Sequence, residues 1–389
     1  MKIAVEAACW LNGRGYGRHL RSLLRALLQE DRCNQYTLCF DYQPEPGTVP
    51  DGCEVRVAGA KVPAAIAASA SGRRSLGDMC RLSRLLSDPQ FDLILFPTVY
   101  SFVPVTGRAT RLVMIHDVIA ETFPQLTVPS PTARLFWNLK VAWARRQADA
   151  IVTVSEYSKR GILDRFHVPE DRVFLAGEAG DAAFRRLDMP ELTPLLASLG
   201  LSKGQRFVVY VGGFSPHKNL DALVQAFARV QDENVRLILV GDYQREVFHS
   251  YYSTVRTLVD SKGLANRVTF AGFVPDEDLA VLLNLADVLV LPSLMEGFGL
   301  PAVEAAACGC PVIATTASPL PQLLPGAGLF VEPNEAELTR ALSTVLGSAE
   351  MRQRMGAAGV EAAGRLTWAA AARQMLAIFE TVQSRKNRV

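Results

Sequence analysis

Thirteen short runs of apolar and β-branched residues punctuate this chain, seven between residues 2 and 176 and six between residues 207 and 331, and most lead into a stretch of helical periodicity. That alternation leaves few architectures. Strand–helix–strand units connect parallel strands, and strands that read as near-continuous apolar runs need helices on both sheet faces. The pattern breaks once, over 184–201, where FRRLDMPELTPLLASLGL holds two prolines and no strand signal. The fold class expected is therefore α/β, with two doubly wound Rossmann-like domains over 1–185 and 202–366 and the linker between them. From Thr367 onward, apolar residues at helical spacing and a basic end predict one last helix.

Composition removes several classes of protein. With 389 residues, 49% of them hydrophobic and 21% charged, the chain can bury a large core and is neither disordered nor fibrous. The longest candidate for an uncharged span, 93–105, is interrupted by Pro97 and Pro104 and falls short of the ~18 residues a membrane helix needs. Glu6 cuts off the apolar run after Lys2 too early for a signal peptide, so the expectation is a cytoplasmic protein. Seven cysteines without a CxxC pair read as reduced thiols, not as a zinc or disulfide framework. Net charge is +2, split as 23 basic against 19 acidic residues over 1–185 and 18 against 20 over 186–389. So small a bias argues against nucleic acid, while a mildly basic first half suits either an ordinary solvated surface or an anionic membrane or acceptor. Arg73, Arg74, Arg81 and Arg84, interleaved with Leu76, Met79, Leu82 and Leu85, form an amphipathic basic helix open to the same two readings.

In open α/β sheets ligands bind beyond the carboxyl ends of the strands, which directs attention to the loops that follow them. After the first strand come Gly13, Gly15, Tyr16, Gly17 and Arg18 at the start of a leucine-striped helix, a turn suited to a phosphate or acceptor, or simply to close strand–helix packing. Gly213, His217 and Lys218 follow the first strand of the second half, where a lysine is positioned to neutralise a diphosphate leaving group. Glu296, Gly297, Phe298, Gly299 and Leu300 precede a short helix that begins at Pro301 and carries Glu304 one turn in. The amides of the 297–300 turn and the helix start predict an anion cradle, with the two glutamates free to hold sugar hydroxyls. Flanking one tight turn, they cannot face each other across a bond as a glycosidase pair must. His116 and Asp117 close the fifth strand, which favours a functional role for the histidine. Asp276, Glu277 and Asp278 open a helix and read as dipole-stabilising residues, not metal ligands.

Taken together, these residues resemble the retaining, nucleotide-sugar-dependent glycosyltransferases of the GT-B fold, family 4 or "group 1". The carriers are Glu296-x7-Glu304 with Gly-Phe-Gly-Leu-Pro inside it, its continuation through Cys308, Gly309, Cys310 and Pro311, Gly212-Gly213 with Lys218-Asn219-Leu220, Gly241-Asp242, and Phe273-Val274-Pro275. The first half is matched more loosely, by its glycine loop, His116-Asp117 and 154–158. The resemblance implies two domains facing across a cleft, a C-terminal helix over 367–389 returning to the first, an acceptor site mainly in 1–185 and a donor site in 202–366. It implies that Glu304 holds the donor ribose, Glu296 the transferred sugar and Lys218 the diphosphate, that His116 approaches the sugar, and that Gly241, Phe273 and Val274 lie beside the base. The contexts look most like bacterial mannosyltransferases of surface polysaccharide assembly. GDP-mannose is the donor expected first and a UDP-hexose second, with a glycan or lipid-linked acceptor and contact with the inner membrane surface. No cofactor or metal is expected, since no paired aspartates or His/Cys cluster is evident. One departure is His217, where the family often has arginine; a neutral ring forms no bidentate clamp, which leaves weaker diphosphate binding or compensation by Arg14 or Arg18. A sugar-nucleotide epimerase would need a catalytic acid/base set that is not evident in this sequence, and a degenerate nucleotide-sugar- or glycan-binding scaffold remains the non-enzymatic rival.

Overall fold

The computed structural model describes residues 1–12, 15–61, 75–243 and 251–386. They form two compact units. The first comprises Met1–Pro124, Val128–Glu178 and Trp368–Val389, the second Gln125–Thr127 and Ala179–Thr367.

In the first unit, β1 (Lys2–Glu6), β2 (Gln35–Phe40), β3 (Cys53–Val57), β4 (Leu93–Phe96), β5 (Thr110–Met114), β6 (Ala150–Thr153) and β7 (Val173–Leu175) pair in parallel in the order 3-2-1-4-5-6-7. Ile3 lies opposite both Tyr36 and Leu93, so β1 is the strand from which the order runs in two directions. Ile3, Ala4, Ile94, Leu112, Val113 and Ile151 are fully buried, because helices cover both faces of the sheet. One cover is the Gly15–Glu30 helix, whose Leu20, Leu23, Leu24 and Leu27 are each 1% exposed. The Trp368–Lys386 helix lies along it, burying Ala371, Met375, Ile378, Phe379 and Val382.

In the second unit, β8 (Arg206–Val211), β9 (Val235–Val240), β10 (Val268–Gly272), β11 (Val288–Leu291), β12 (Val312–Thr315) and β13 (Gly328–Val331) are again parallel, in the order 10-9-8-11-12-13. The order reverses between β8 and β11. The doubly wound α/β class expected from the strand spacing is what forms, twice.

Two expectations are corrected. The chain leaves the first unit at Glu178, not at 185, and 184–201 is no free linker. Asn284 accepts from the Leu187 amide at 2.9 Å and donates to the Arg185 carbonyl at 2.9 Å, which ties the segment to the second unit, and Pro194–Ser198 forms a helical turn capped by Thr193. The basic helix is shorter, Leu76–Leu86, and most of its apolar side is spent on the core: Leu82 and Leu86 are fully buried and Met79 and Leu85 pack against that core, while Leu76 at its start stays exposed. Gly13, Arg14, Arg73 and Arg74 lie outside the described residues. All seven cysteines are free thiols, and among the described residues no helix is long and apolar enough to cross a membrane.

Candidate functional site

The order reverses between β8 and β11, and open α/β sheets take ligands at such a reversal, beyond the carboxyl ends of the central strands, which makes this the second unit's candidate site. Lys218 enters it from the loop after β8, Glu296 from the loop after β11. Their side chains meet, with Nζ 2.7 Å from Oε1, and Ser293 Oγ donates to the same carboxylate oxygen at 2.5 Å. Burial alone would raise the Glu296 pKa, but the Lys218 charge and the two hydrogen bonds more than offset this and hold it below the usual range. Glu296 is therefore an ionised, almost buried anchor for Lys218, whose remaining N–H donors can serve a second anion. Asn219, in the left-handed region at φ 56°, stitches the loops together by donating to Pro292 O at 3.0 Å and Pro333 O at 2.7 Å. Ser293 carries part of this geometry and nothing in the sequence announces it, while Asn219 is visible there only as a member of Lys218-Asn219-Leu220.

His217 is 8% exposed, and burial followed by the adjacent Lys218 charge pushes its pKa down to about 4. It is neutral at pH 7. Its carbonyl accepts the Leu294 amide at 3.0 Å, so its backbone links the loops after β8 and β11 whatever its ring does. The 297–300 turn ends at Gly299, whose φ of 83° caps the Leu300–Ala307 helix; a Cβ there would also meet Leu320 at 2.8 Å. The amides of Ala302 and Val303 both turn to Gly299 O, at 2.9 and 3.3 Å, and Pro301 has none. The anion cradle expected here is thereby narrowed to the turn itself. Phe298 is 5% exposed and Glu304 2%, the latter packed beside Gly180. Gly213 accepts the Tyr210 hydroxyl at 2.6 Å, Gly241 donates to Gly272 O at 2.9 Å, and beyond β10 Phe273 stands exposed while Val274 is buried.

In the first unit the corresponding reversal lies between β1 and β4. Gly17 serves packing: a Cβ would come within 2.0 Å of Asn12 O, whereas one at Gly15 would meet nothing within 4 Å. Tyr16 stands 5.0 Å, ring to ring, from Tyr100 and from His116, and together with Asp117, Glu121 and Trp137 they line a cleft. Arg18 is half-buried on the same helix.

His116 does not stand alone. Its Nδ1 is 3.2 Å from Glu178 Oε1 and its Nε2 is 2.8 Å from Pro97 O. Both neighbours are acceptors, so both nitrogens are satisfied only when each carries a proton. Burial lowers the His116 pKa, but the Glu178 hydrogen bond and charge, then the Pro97 carbonyl, bring it above the ordinary value. His19 stands with Nδ1 2.8 Å from the same Glu178 oxygen without hydrogen-bond alignment, and burial lowers its pKa. Burial would raise Glu178, yet the two histidines hold it down to about 2. Near pH 6.5 the trio thus pairs the Glu178 carboxylate with a mainly protonated His116 and a mainly neutral His19. Among the described residues it is the one group of His, Cys, Asp or Glu close enough for a metal ion, with donor atoms within 4.8 Å of one another. The sequence expectation that no such cluster exists is corrected: its members lie 97 and 62 positions apart, and no spacing signals them.

Comparison with known proteins bears on both units. Residues 13–176 match the model described as Glycosyltransferase Family 4, and residues 194–362 match Glycosyl transferases group 1. The chain is 30% identical to the O-antigen chain mannosyltransferase B of Escherichia coli, over 65% of either chain. It is 34% identical to a D-inositol 3-phosphate glycosyltransferase of Segniliparus rotundus, over 71% of this chain and 61% of that one. The chain therefore spans less than two thirds of the length of each. Among solved structures, HepE of Anabaena in complex with UDP-glucose superposes with a TM-score of 0.74 at 21% identity, covering 98% of this chain and all of the other.

Proposed function

The chain belongs to the family 4, group 1 glycosyltransferases, and from that premise we propose that it moves a hexose from a nucleotide-sugar to a glycan or lipid-linked acceptor with retention of configuration. The observation that carries this reading is the Lys218–Glu296–Ser293 constellation at the strand-order reversal of the second sheet. Lys218 is held by Glu296 with its other N–H groups available, and in the proposed reaction it stabilises the departing nucleoside diphosphate together with the amides of the 297–300 turn. Glu304 holds the ribose and Glu296 also meets the transferred sugar. The acceptor hydroxyl attacks on the face the diphosphate leaves, and a phosphate oxygen takes its proton. In the first unit, His116 beside Glu178 is the polarising group the proposed reaction would use. Charge neutralisation by Lys218 makes the proposed reaction independent of metal ions.

The donor proposed is GDP-mannose, on the strength of the E. coli mannosyltransferase. A UDP-hexose is the second reading, suggested by the UDP-glucose in HepE. The chain works at the cytoplasmic face of a membrane, where lipid-linked acceptors of this kind are presented. A thermal-shift comparison separates the donors: a nucleotide at ~100 times its Kd stabilises its unit by about 2.7 kcal/mol, or about 5–10 °C. A larger shift with GDP than with UDP is expected. A UDP-only shift replaces the donor, and no shift with either removes the transferase reading in favour of a scaffold.

A further inference from the structure

The Pro131–Gln147 helix is built to dock by one side only. Ser130 caps it by accepting the Ala133 amide, Pro131 opens it, and Val141 and Ala144 are buried in the core of the first unit, with Trp137 packed beside them. Between residues 135 and 143 the opposite side is apolar. Leu135 is 58% exposed, Phe136 66%, Leu139 56% and Trp143 53%. At 100° per residue, these four fall within ~60° of a line through Leu139, a single stripe about 12 Å long. Single exposed hydrophobics are ordinary on a protein surface, but of the eleven large ones among the described residues four share this helix. The same helix holds Arg134, Lys140, Arg145 and Arg146 and no acidic residue, and exposed Arg146 ends the stripe.

Taking ~200 Å² for each large side chain, the stripe offers roughly 450 Å², well short of the ~800 Å² per partner typical of a stable protein interface. A lipid surface sets no such minimum. It rewards this composition: bulky aromatic and aliphatic side chains on one face and an all-basic set of charges.

We propose that the outward face of the Pro131–Gln147 helix docks the protein on an anionic bilayer, with Leu135, Phe136, Leu139 and Trp143 inserted at the headgroup–acyl boundary and Arg146 against lipid phosphates. This rests on the reading that the acceptor is membrane-associated, and it moves the membrane contact from the Leu76–Leu86 helix, where Leu76 is the one exposed leucine, to a different element.

The test is flotation of the full chain with vesicles of phosphatidylethanolamine and phosphatidylglycerol, beside vesicles of phosphatidylcholine alone. Binding to the anionic vesicles, weakened by salt, is expected. Leu139→Glu should lower partitioning at least ~10-fold, since it removes apolar contact and adds a repelled charge. The Trp143 emission, taken as the difference between wild type and Trp143→Phe, should shift to the blue on binding. Circular dichroism and a melting temperature equal to those of the wild type establish that Leu139→Glu is folded, and the thermal shift with nucleoside diphosphate, which reports on the second unit, reads the transferase proposal separately from the membrane one. The proposal is overturned if the wild type stays with the unbound fraction, or if Leu139→Glu floats equally well. It is also overturned if light scattering shows the wild type as a dimer that Leu139→Glu converts to monomer, which would make the stripe a self-association surface.

Discussion

Replacing Glu178 by glutamine tests whether a buried carboxylate sets the charge of His116. In the native protein Glu178 faces His116 Nδ1 at 3.2 Å and His19 Nδ1 at 2.8 Å, and its pKa of about 2 against an ordinary 4.5 corresponds to about 3 kcal/mol of stabilisation at neutral pH. That contribution is present above pH 4.5 and is lost as pH falls toward 2. His116 behaves in the opposite sense. Its folded pKa is raised, so its contribution is complete below about 6.5 and is lost as pH climbs through the raised value. His19, lowered by burial, contributes above about 6.5 and loses this as pH falls through its own depressed value. Glutamine removes the negative charge and keeps the shape. The neutral ring can still donate from Nε2 to Pro97 O and accept the new amide at Nδ1, so the variant should fold. With the Glu178 charge gone, the Pro97 carbonyl and the Asp117 charge remain as the lesser raising influences, so burial dominates and the His116 pKa should drop below the ordinary histidine value. Every unit of that fall is worth about 1.4 kcal/mol. The stability penalty of the variant should therefore be larger at pH 5.5 than at pH 8.5. Ring-proton NMR of the five histidines, with His116→Gln to assign the resonance, follows the change directly. If His116 in Glu178→Gln titrates at or above its native pKa, Glu178 is not its counter-ion and the assignment of charges in the trio fails.

Four further outcomes are expected. Lys218→Met should lower kcat by ~100-fold or more and also lower the melting temperature, because Glu296 loses its partner at 2.7 Å; adding Glu296→Gln should restore the stability but not the turnover, measured by calorimetry and by nucleoside diphosphate release. Glu304→Gln should mainly raise the donor KM in steady-state kinetics, since a ribose contact is made equally in ground and transition states. Gly17→Ala should destabilise the first unit by more than 1 kcal/mol in denaturant titration, its Cβ lying 2.0 Å from Asn12 O, while Gly15→Ala, with nothing within 4 Å, should not. Turnover assayed in excess chelator should equal that with magnesium or manganese; activity that requires an added divalent ion would point instead to His19, His116 and Glu178.

Local chemistry wrote the elements of this protein into its sequence. Apolar β-branched runs have a period and a length that only strands satisfy, and the Gly299–Pro301 start and Gly309–Pro311 stop bracket the helix of Glu304 whatever surrounds it. The acidic opening of the Asp276–Leu285 helix was legible for the same reason. What the sequence could not supply is which strand lies beside which. Only the order 10-9-8-11-12-13 brings Lys218 to within 2.7 Å of a glutamate 78 positions away, and only the order 3-2-1-4-5-6-7 brings the ends of β5 and β7 and the Gly15–Glu30 helix together around Glu178. The end of the first unit was misplaced because the hydrogen bonds of Asn284 to Arg185 and Leu187 join positions nearly a hundred residues apart. Two helices make the limit plain: Leu76–Leu86 and Pro131–Gln147 both carry arginines among apolar residues, yet the first buries Leu82 and Leu86 while the second leaves Leu135 and Leu139 exposed. Periodicity shows that a helix has an apolar side, but whether protein covers that side depends on long-range packing, which tertiary structure alone decides.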